Sequence, residues 1–215
     1  MHIVITGASR GIGAELASRY RAGRHTVTGT GRRGGDGLVA LDVTRPESVA
    51  ELGAHLGGRA VDLLVCNAGI YPDKGQALDT GYPAPMWAET LATNVTGVFL
   101  TVQALLPGLR AAGGARIAII SSQMASHTRA PGGSYIYRAS KAAALNLGRN
   151  LAADLAPEGI AVGIYHPGWV RTDMGGDAAD IGVEEAAKGL IARFDALDMD
   201  DTGCFRTWDG REYPY

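Results

Sequence analysis

Seven strand-length apolar stretches alternate with segments of helical period: His2–Thr6, Thr26–Thr30, Leu38–Val43, Val61–Cys66, Arg116–Ser121, Ile160–His166 and Cys204–Trp208. Strands separated by helix-length segments need crossover connections, and crossovers make parallel pairs. Two strands are almost continuously apolar, Val61-Asp62-Leu63-Leu64-Val65 and Ile117-Ala118-Ile119-Ile120. Neither face of such a strand suits water, so helices must cover both faces of the sheet. The expected fold is therefore α/β, a doubly wound three-layer sandwich around a mostly parallel seven-stranded sheet. The 215 residues are 46% hydrophobic and carry no linker, repeat or low-complexity segment, which predicts one domain over residues 1–215.

The helices have their own punctuation. Thr44-Arg45-Pro46-Glu47 reads as a capping box, with Thr44 as the cap of a helix running to about Leu56. A long Ala- and Leu-rich helix starts around Ser134 and stops at Pro157-Glu158-Gly159. Met86–Leu109 is helical in pattern, but Thr93-Asn94-Val95-Thr96-Gly97 is a poor helix interior where a kink or break is expected. Gly69 to Met86 reads as a loop, and a last helix begins near Val183.

Charge and cysteine usage exclude several classes of partner. With 20 basic and 22 acidic residues the net charge is −2, which offers no electrostatic footprint for nucleic acid or an anionic membrane. Arg19, Arg21 and Arg24 read as a solvated helix end. Met1-His2 runs directly into Ile3-Val4-Ile5 without a signal-peptide pattern, and no apolar run reaches about 18 residues. Cys66 and Cys204 cannot build a disulfide framework, and His2, His25, His55, His127 and His166 are scattered without metal spacing. The expectation is a cytoplasmic chain that binds no metal, nucleic acid or membrane and acts on a small molecule.

The 31 glycines are about twice the usual share and follow no fixed period, so each must be read by its place. Thr6-Gly7-Ala8-Ser9-Arg10-Gly11-Ile12-Gly13 follows the first strand and opens a helix. Glycines at 7, 11 and 13 let the backbone turn tightly and approach a pyrophosphate, whose charge the helix N-terminus favours. Three other segments lie at the C-terminal ends of strands or just beyond: Asn67-Ala68-Gly69, Tyr137-Arg138-Ala139-Ser140-Lys141 and Pro167-Gly168-Trp169-Val170-Arg171-Thr172-Asp173-Met174. In an open parallel sheet that edge is where ligands bind. Tyr137 and Lys141, four apart on a helix, share one face. A phenol with an ordinary pKa near 10 needs a nearby cation to exchange protons at neutral pH, and Lys141 supplies one. A serine after the fifth strand can hydrogen-bond a developing oxyanion.

In order and spacing these segments make the chain resemble the short-chain dehydrogenase/reductase family over essentially its whole length, and within it the small branch that includes carbonyl reductases of the sniffer type and C-factor proteins. The resemblance implies a Rossmann-type fold and a nicotinamide cofactor. It implies catalytic roles for Asn94, Ser122, Tyr137 and Lys141: the phenol as general acid/base, the lysine on the nicotinamide ribose, Ser122 on the substrate oxygen and the Asn94 backbone carbonyl in a proton relay. Ser122 precedes Tyr137 by 15 residues, slightly more than the common spacing, so Ser121 and Ser126 stay as lesser candidates. The implied cofactor-binding set is Gly7, Ser9, Arg10, Gly11, Ile12, Gly13, Arg32, Asp42, Asn67, Ala68, Gly69, Tyr137, Lys141, Pro167, Gly168, Val170 and Thr172. Cys66 stands where an asparagine is usual, and Asp42 competes with a plain capping role.

Gly31 occupies the strand end where an NAD-specific site carries an aspartate, while Arg32 and Arg10 offer planar donors for a 2′-phosphate. NADP(H) is expected over NAD(H), with a carbonyl or secondary-alcohol substrate. The family also implies a homodimer or homotetramer. The short stretch between Pro167 and Val183 leaves an open pocket walled by Ser126–Gly133, Trp169 and the residues after Gly69. A non-catalytic NADP(H)-sensing or signalling protein of the same fold is the alternative.

Overall fold

The computed structural model describes residues 1–128 and 130–215; Arg129, in the loop expected to wall the substrate side, lies outside the described residues. The strands are β1 (His2–Ile5), β2 (Thr26–Gly31), β3 (Leu38–Ala40), β4 (Leu63–Cys66), β5 (Arg116–Ile120), β6 (Ala161–His166) and β7 (Phe205–Thr207). Among the described residues they form one sheet in the order β3-β2-β1-β4-β5-β6-β7. Every neighbouring pair is parallel, so the sheet is more uniform than the mostly parallel one expected. The strand order reverses between β1 and β4, which opens a crevice beyond the strands' C-terminal ends.

Alternation along the strands sorts the core into two layers. Ile3 and Ile5 of β1 and Ala118 and Ile120 of β5 face Leu16 and Tyr20 of α1 (Gly11–Ala22) and Leu190 and Phe194 of α6 (Val183–Ala196). Val4, Ile117, Ile119 and Val162 face the other way. They pack with Leu52 of α2 (Pro46–Leu56), Val102 and Leu105 of α4 (Gly97–Ala112), and Leu151 of α5 (Tyr135–Leu155). Helices thus cover both faces, as the continuously apolar strands require.

Three local expectations need correction. Thr44 is not the cap of α2: its backbone N–H and hydroxyl both donate to the Asp42 carboxylate at 3.0 and 2.6 Å, and Arg45 takes the N-cap position. Asp42 closes a turn onto the residue two ahead of it, which leaves Thr44 one residue outside the N-cap position. The helical stretch expected from Met86 starts at Ala84. It continues through α3 (Ala84–Leu91), a π-helical turn (Ala92–Thr96) and α4, so the weak interior around Asn94 is absorbed by a widened turn without a break. By length and composition alone Ala84–Ala112 is long and apolar enough to cross a membrane, although polar residues such as Glu89, Asn94 and Gln103 interrupt it. Its Val98, Val102, Leu105 and Leu109 are buried in the core against the sheet.

Burial differences should be visible in stability. Ile117 is inaccessible in the middle of β5, whereas Leu78 is 74% exposed in the loop before α3. Ile117→Ala is expected to cost about 2–5 kcal/mol in urea unfolding, and Leu78→Ala to stay within about 0.5 kcal/mol. Equal effects would contradict the layering described.

Candidate active site

The loops leaving β1 and β4 are pinned to each other at the crevice. Thr6 Oγ accepts from the backbone N–H groups of Asn67 and Ala68, both at 3.0 Å. The Asn67 side-chain amide returns two bonds, to the carbonyls of Thr6 and Gly7, also at 3.0 Å. Gly7 adopts φ +68°, and a Cβ there would lie 2.9 Å from Ala68 Cα. A Cβ at Gly13 would press on Asn67 Nδ2 at 2.5 Å. Only glycine fits these positions while the two loops stay in contact.

Beside this seam runs a cleft of about 530 Å³, within the range of ligand sites. It joins the four sequence segments, with Gly7, Ser9, Arg10, Gly11, Ile12, Gly13, Arg32, Asp42, Asn67, Ala68, Gly69, Tyr137, Lys141, Pro167 and Thr172 all on its walls. The first turn of α1 carries no acidic residue and no side-chain cap among the described residues. Its N–H groups suit an anion. Tight glycines, an open helix N-terminus and flanking arginines fit a dinucleotide.

At the far end, Gly31 brings no carboxylate and Arg32 lies beside Asp42. The hydrogen bonds from Thr44 hold Asp42 below the usual carboxylate range, and Arg32 and Arg45 act in the same direction. Arg10 forms an ion pair with Asp173 across the mouth of the cleft.

The other end holds the titratable cluster. Tyr137 is buried, and its phenol accepts a hydrogen-bonding partner in Ser122. Burial pushes the phenol well above its ordinary value, Ser122 opposes that shift, and Tyr71 and Asp73 reinforce it. Lys141 Nζ lies 5.6 Å from the centre of the Tyr137 ring and donates to the Ile120 carbonyl at 2.9 Å. Ser121 and Ser126 are otherwise engaged: Ser121 Oγ donates to the Lys141 carbonyl at 3.0 Å, and Ser126 Oγ bonds Thr128 Oγ at 2.8 Å. Ser122 is the serine that faces the phenol.

Asn94 sits inside the π-helical turn, behind the cleft wall. Its side chain bonds both backbone groups of Ile70, at 2.9 Å each, and Ser140 Oγ at 3.0 Å. Ser122, Asn94, Gly168 and Val170 are the expected site residues that do not line the cleft. A Cβ on Gly168, at φ +90°, would meet Trp208 at 3.0 Å, and Val170 is buried in a bridge to Ile181. These two shape the backbone that presents Thr172. The short segment above the cleft is internally braced: Gly175 N–H donates to Thr172 Oγ at 3.1 Å, Gly176 N–H to the Thr172 carbonyl at 2.8 Å, and Trp169 Nε1 to the Gly175 carbonyl at 3.0 Å.

The family model for short chain dehydrogenases matches residues 1–180. The chain belongs to this family. Its members are oxidoreductases with a nicotinamide cofactor. The chain is 38% identical to C-signal of Myxococcus xanthus over 156 residues, 72% of this chain and 93% of that one. Its structure is similar to the carbonyl reductase Sniffer of Drosophila melanogaster (TM-score 0.90, 26% identity, 100% and 99% of the two chains). It is also similar to an NADPH-bound carbonyl reductase from chicken fatty liver (TM-score 0.89, 28% identity, 100% and 98%).

Two residues beside the cluster escape the sequence reading. Tyr71 stacks on Tyr137 with ring centres 4.1 Å apart, and Asp73 is fully buried beneath the same turn. They lie more than sixty residues from Tyr137 in a loop without periodicity. The one signal in the sequence is their closeness to Asn67-Ala68-Gly69.

Burial also lowers Lys141, from an ordinary 10.5 to about 8. At pH 7 the group is charged in both folded and unfolded chains, and the fold carries the full cost of burying that charge. Between about 8 and 10.5 the folded chain has released the proton and the unfolded chain has not, so stability rises with pH through that window. Thermal melts of the parent are expected to gain on those of Lys141→Met as pH climbs through it. A constant difference between the two would contradict the depressed lysine.

Proposed function

We propose that the chain is an NADPH-dependent reductase of small carbonyl compounds. The observation that carries this reading is the buried Tyr137 phenol, set between the Ser122 hydroxyl and the Lys141 ammonium at one end of a dinucleotide-shaped cleft. When bound, the dinucleotide supplies hydride from its nicotinamide C4 to the carbonyl carbon. The carbonyl oxygen gains charge as this happens. Ser122 donates a hydrogen bond to that oxygen, and Tyr137 transfers its phenolic proton there. Lys141 stabilises the phenolate left behind. Asn94 supplies the backbone carbonyl of the relay that returns a proton toward Lys141.

Gly7, Ser9, Arg10, Gly11, Ile12 and Gly13 take the pyrophosphate and adjoining ribose, Asp42 borders the adenine, and Asn67, Ala68, Gly69 and Pro167 line the path to the nicotinamide. Thr172 holds the carboxamide, with Gly168 and Val170 behind it. NADP(H) is preferred because Gly31 presents no carboxylate to repel a 2′-phosphate and Arg32 offers a planar donor fork to it. The relatives support this reading, since one carbonyl reductase of nearly superimposable structure is NADPH-bound. On the substrate side stand the exposed Trp169 and Met174 and the half-buried Tyr71. Such walls discriminate weakly, so small aldehydes, quinones and dicarbonyls are proposed to be reduced with modest differences.

The likeness to C-signal favours the second reading, a protein that binds NADP(H) to signal. Sensing needs the nucleotide cleft and leaves the Ser122, Tyr137 and Lys141 arrangement without a use.

One set of assays decides between them. NADPH oxidation by a carbonyl panel is expected in the parent, with Tyr137→Phe lowering kcat by about 10²–10⁴ and leaving NADPH affinity within about twofold. Arg32→Ala is expected to weaken NADPH binding about tenfold or more and leave NADH binding nearly unchanged. NADPH binding without turnover of any carbonyl supports the signalling reading. Equal losses for both cofactors in Arg32→Ala contradict the phosphate assignment.

A further inference from the structure

Helix α5 begins in an unusual way for an element that carries a reactive side chain. Ser134 precedes it in a left-handed conformation, φ 48°, and does not cap it. The Ser134 hydroxyl instead bonds the Tyr71 hydroxyl at 2.5 Å. The first-turn N–H groups are taken by a residue from another part of the chain: Asp73 Oδ2 accepts from Ile136 N–H at 2.9 Å and from Tyr137 N–H at 3.2 Å. Asp73 has no accessible surface, and its Oδ1 has no hydrogen-bond partner among the described residues.

A buried carboxylate is retained at a cost unless it does something an apolar residue could not. Here the favourable terms are two charge-assisted hydrogen bonds and the positive end of α5. Both act on the residue that bears the phenol. From the same loop, Tyr71 lies on the Tyr137 ring at 4.1 Å with the planes 20° apart. The backbone of Tyr137 is thus held from below and its ring from the side, by residues outside the cleft's dinucleotide half.

We propose that Asp73 is a positioning residue for the proton donor: from the loop after β4 its carboxylate seats the first turn of α5 and, with the Tyr71 ring, aims the Tyr137 phenol at the substrate oxygen. This rests on the reading of Tyr137 as the proton donor. The groups facing the phenol are Ser122 after β5, Tyr71 and Asp73 from the loop after β4, and Lys141 on α5. Burial is the main cause that favours the protonated phenol; Ser122 opposes it, and Tyr71 and then Asp73 add to it.

Two variants separate seating from charge. Asp73→Asn keeps an acceptor for the two N–H groups and drops the charge; Asp73→Ala drops both. With carbonyl and NADPH, Asp73→Ala is expected to lose about tenfold to hundredfold in kcat, with the KM for NADPH unchanged. Asp73→Asn is expected to recover most of that kcat. Hydrogen exchange at the Ile136 and Tyr137 amides, which needs no turnover, is expected to be protected in the parent and in Asp73→Asn and to accelerate at least about tenfold in Asp73→Ala. Parental kcat in both variants, measured below their melting range, would overturn the proposal. Should Asp73→Ala fail to fold, Ile136 and Tyr137 amides that exchange in Asp73→Asn much faster than in the parent, with kcat unchanged, would overturn it equally. A parent that turns over no carbonyl contradicts the proposed function, and the amide protection still decides whether Asp73 seats the helix: unprotected amides in the parent overturn it.

Discussion

The hydrogen bonds that join Thr6 and Asn67 bridge the place where the sheet reverses its order. Strands β1 and β4 are neighbours in the sheet and their chains leave in different directions, so an unpinned pair of loops would spread apart under solvent. Thr6 Oγ and the Asn67 side chain together satisfy four backbone groups across that gap. The glycine loop then packs directly on the Asn67-Ala68 backbone, and the helix that follows points its N-terminus into the cleft. Binding surface and sheet topology have the same origin: a backbone seam at the switch point, closed by two side chains and two glycines.

The cluster at the other end depends on the seam less directly. The chain that leaves Asn67-Ala68-Gly69 supplies Ile70 to the Asn94 side chain, Tyr71 to the Tyr137 ring and Asp73 to the first turn of α5. One loop therefore connects the dinucleotide half of the crevice to the phenol. The Ala92–Thr96 widened turn serves the same loop, since it lets Asn94 reach the backbone of Ile70 while α3 and α4 continue on either side. A regular helix would carry this residue past the loop in a different direction.

Much of this was legible in the sequence because it is governed by short-range pattern. The seven strands follow from apolar runs of strand length, although β3 ends at Ala40 where the run through Val43 suggested more, because Asp42 turns the chain by bonding Thr44. The glycine loop, the Tyr137 and Lys141 pairing and the choice of crevice follow from local spacing. At Thr44 a turn closed by the Asp42 carboxylate replaces the expected capping box, and the Thr44–Glu47 spacing carries no trace of it. Ser122 separates from Ser121 and Ser126 only in three dimensions, where its hydroxyl alone of the three meets the Tyr137 phenol. Asp73 and Tyr71 stayed hidden because burying a carboxylate under a helix 63 residues away leaves no period and no run to read.

A cleft that holds a nicotinamide in one orientation against the Tyr137 phenol, as proposed, must use a single C4 face of the ring. NADPH deuterated at one or the other C4 position, turned over with an aldehyde or ketone and followed by mass spectrometry of the alcohol, tests it directly. A fixed ring face predicts that one of the two labelled cofactors passes its deuterium to product and the other passes essentially none. Label arriving from both positions, or from neither, would contradict it.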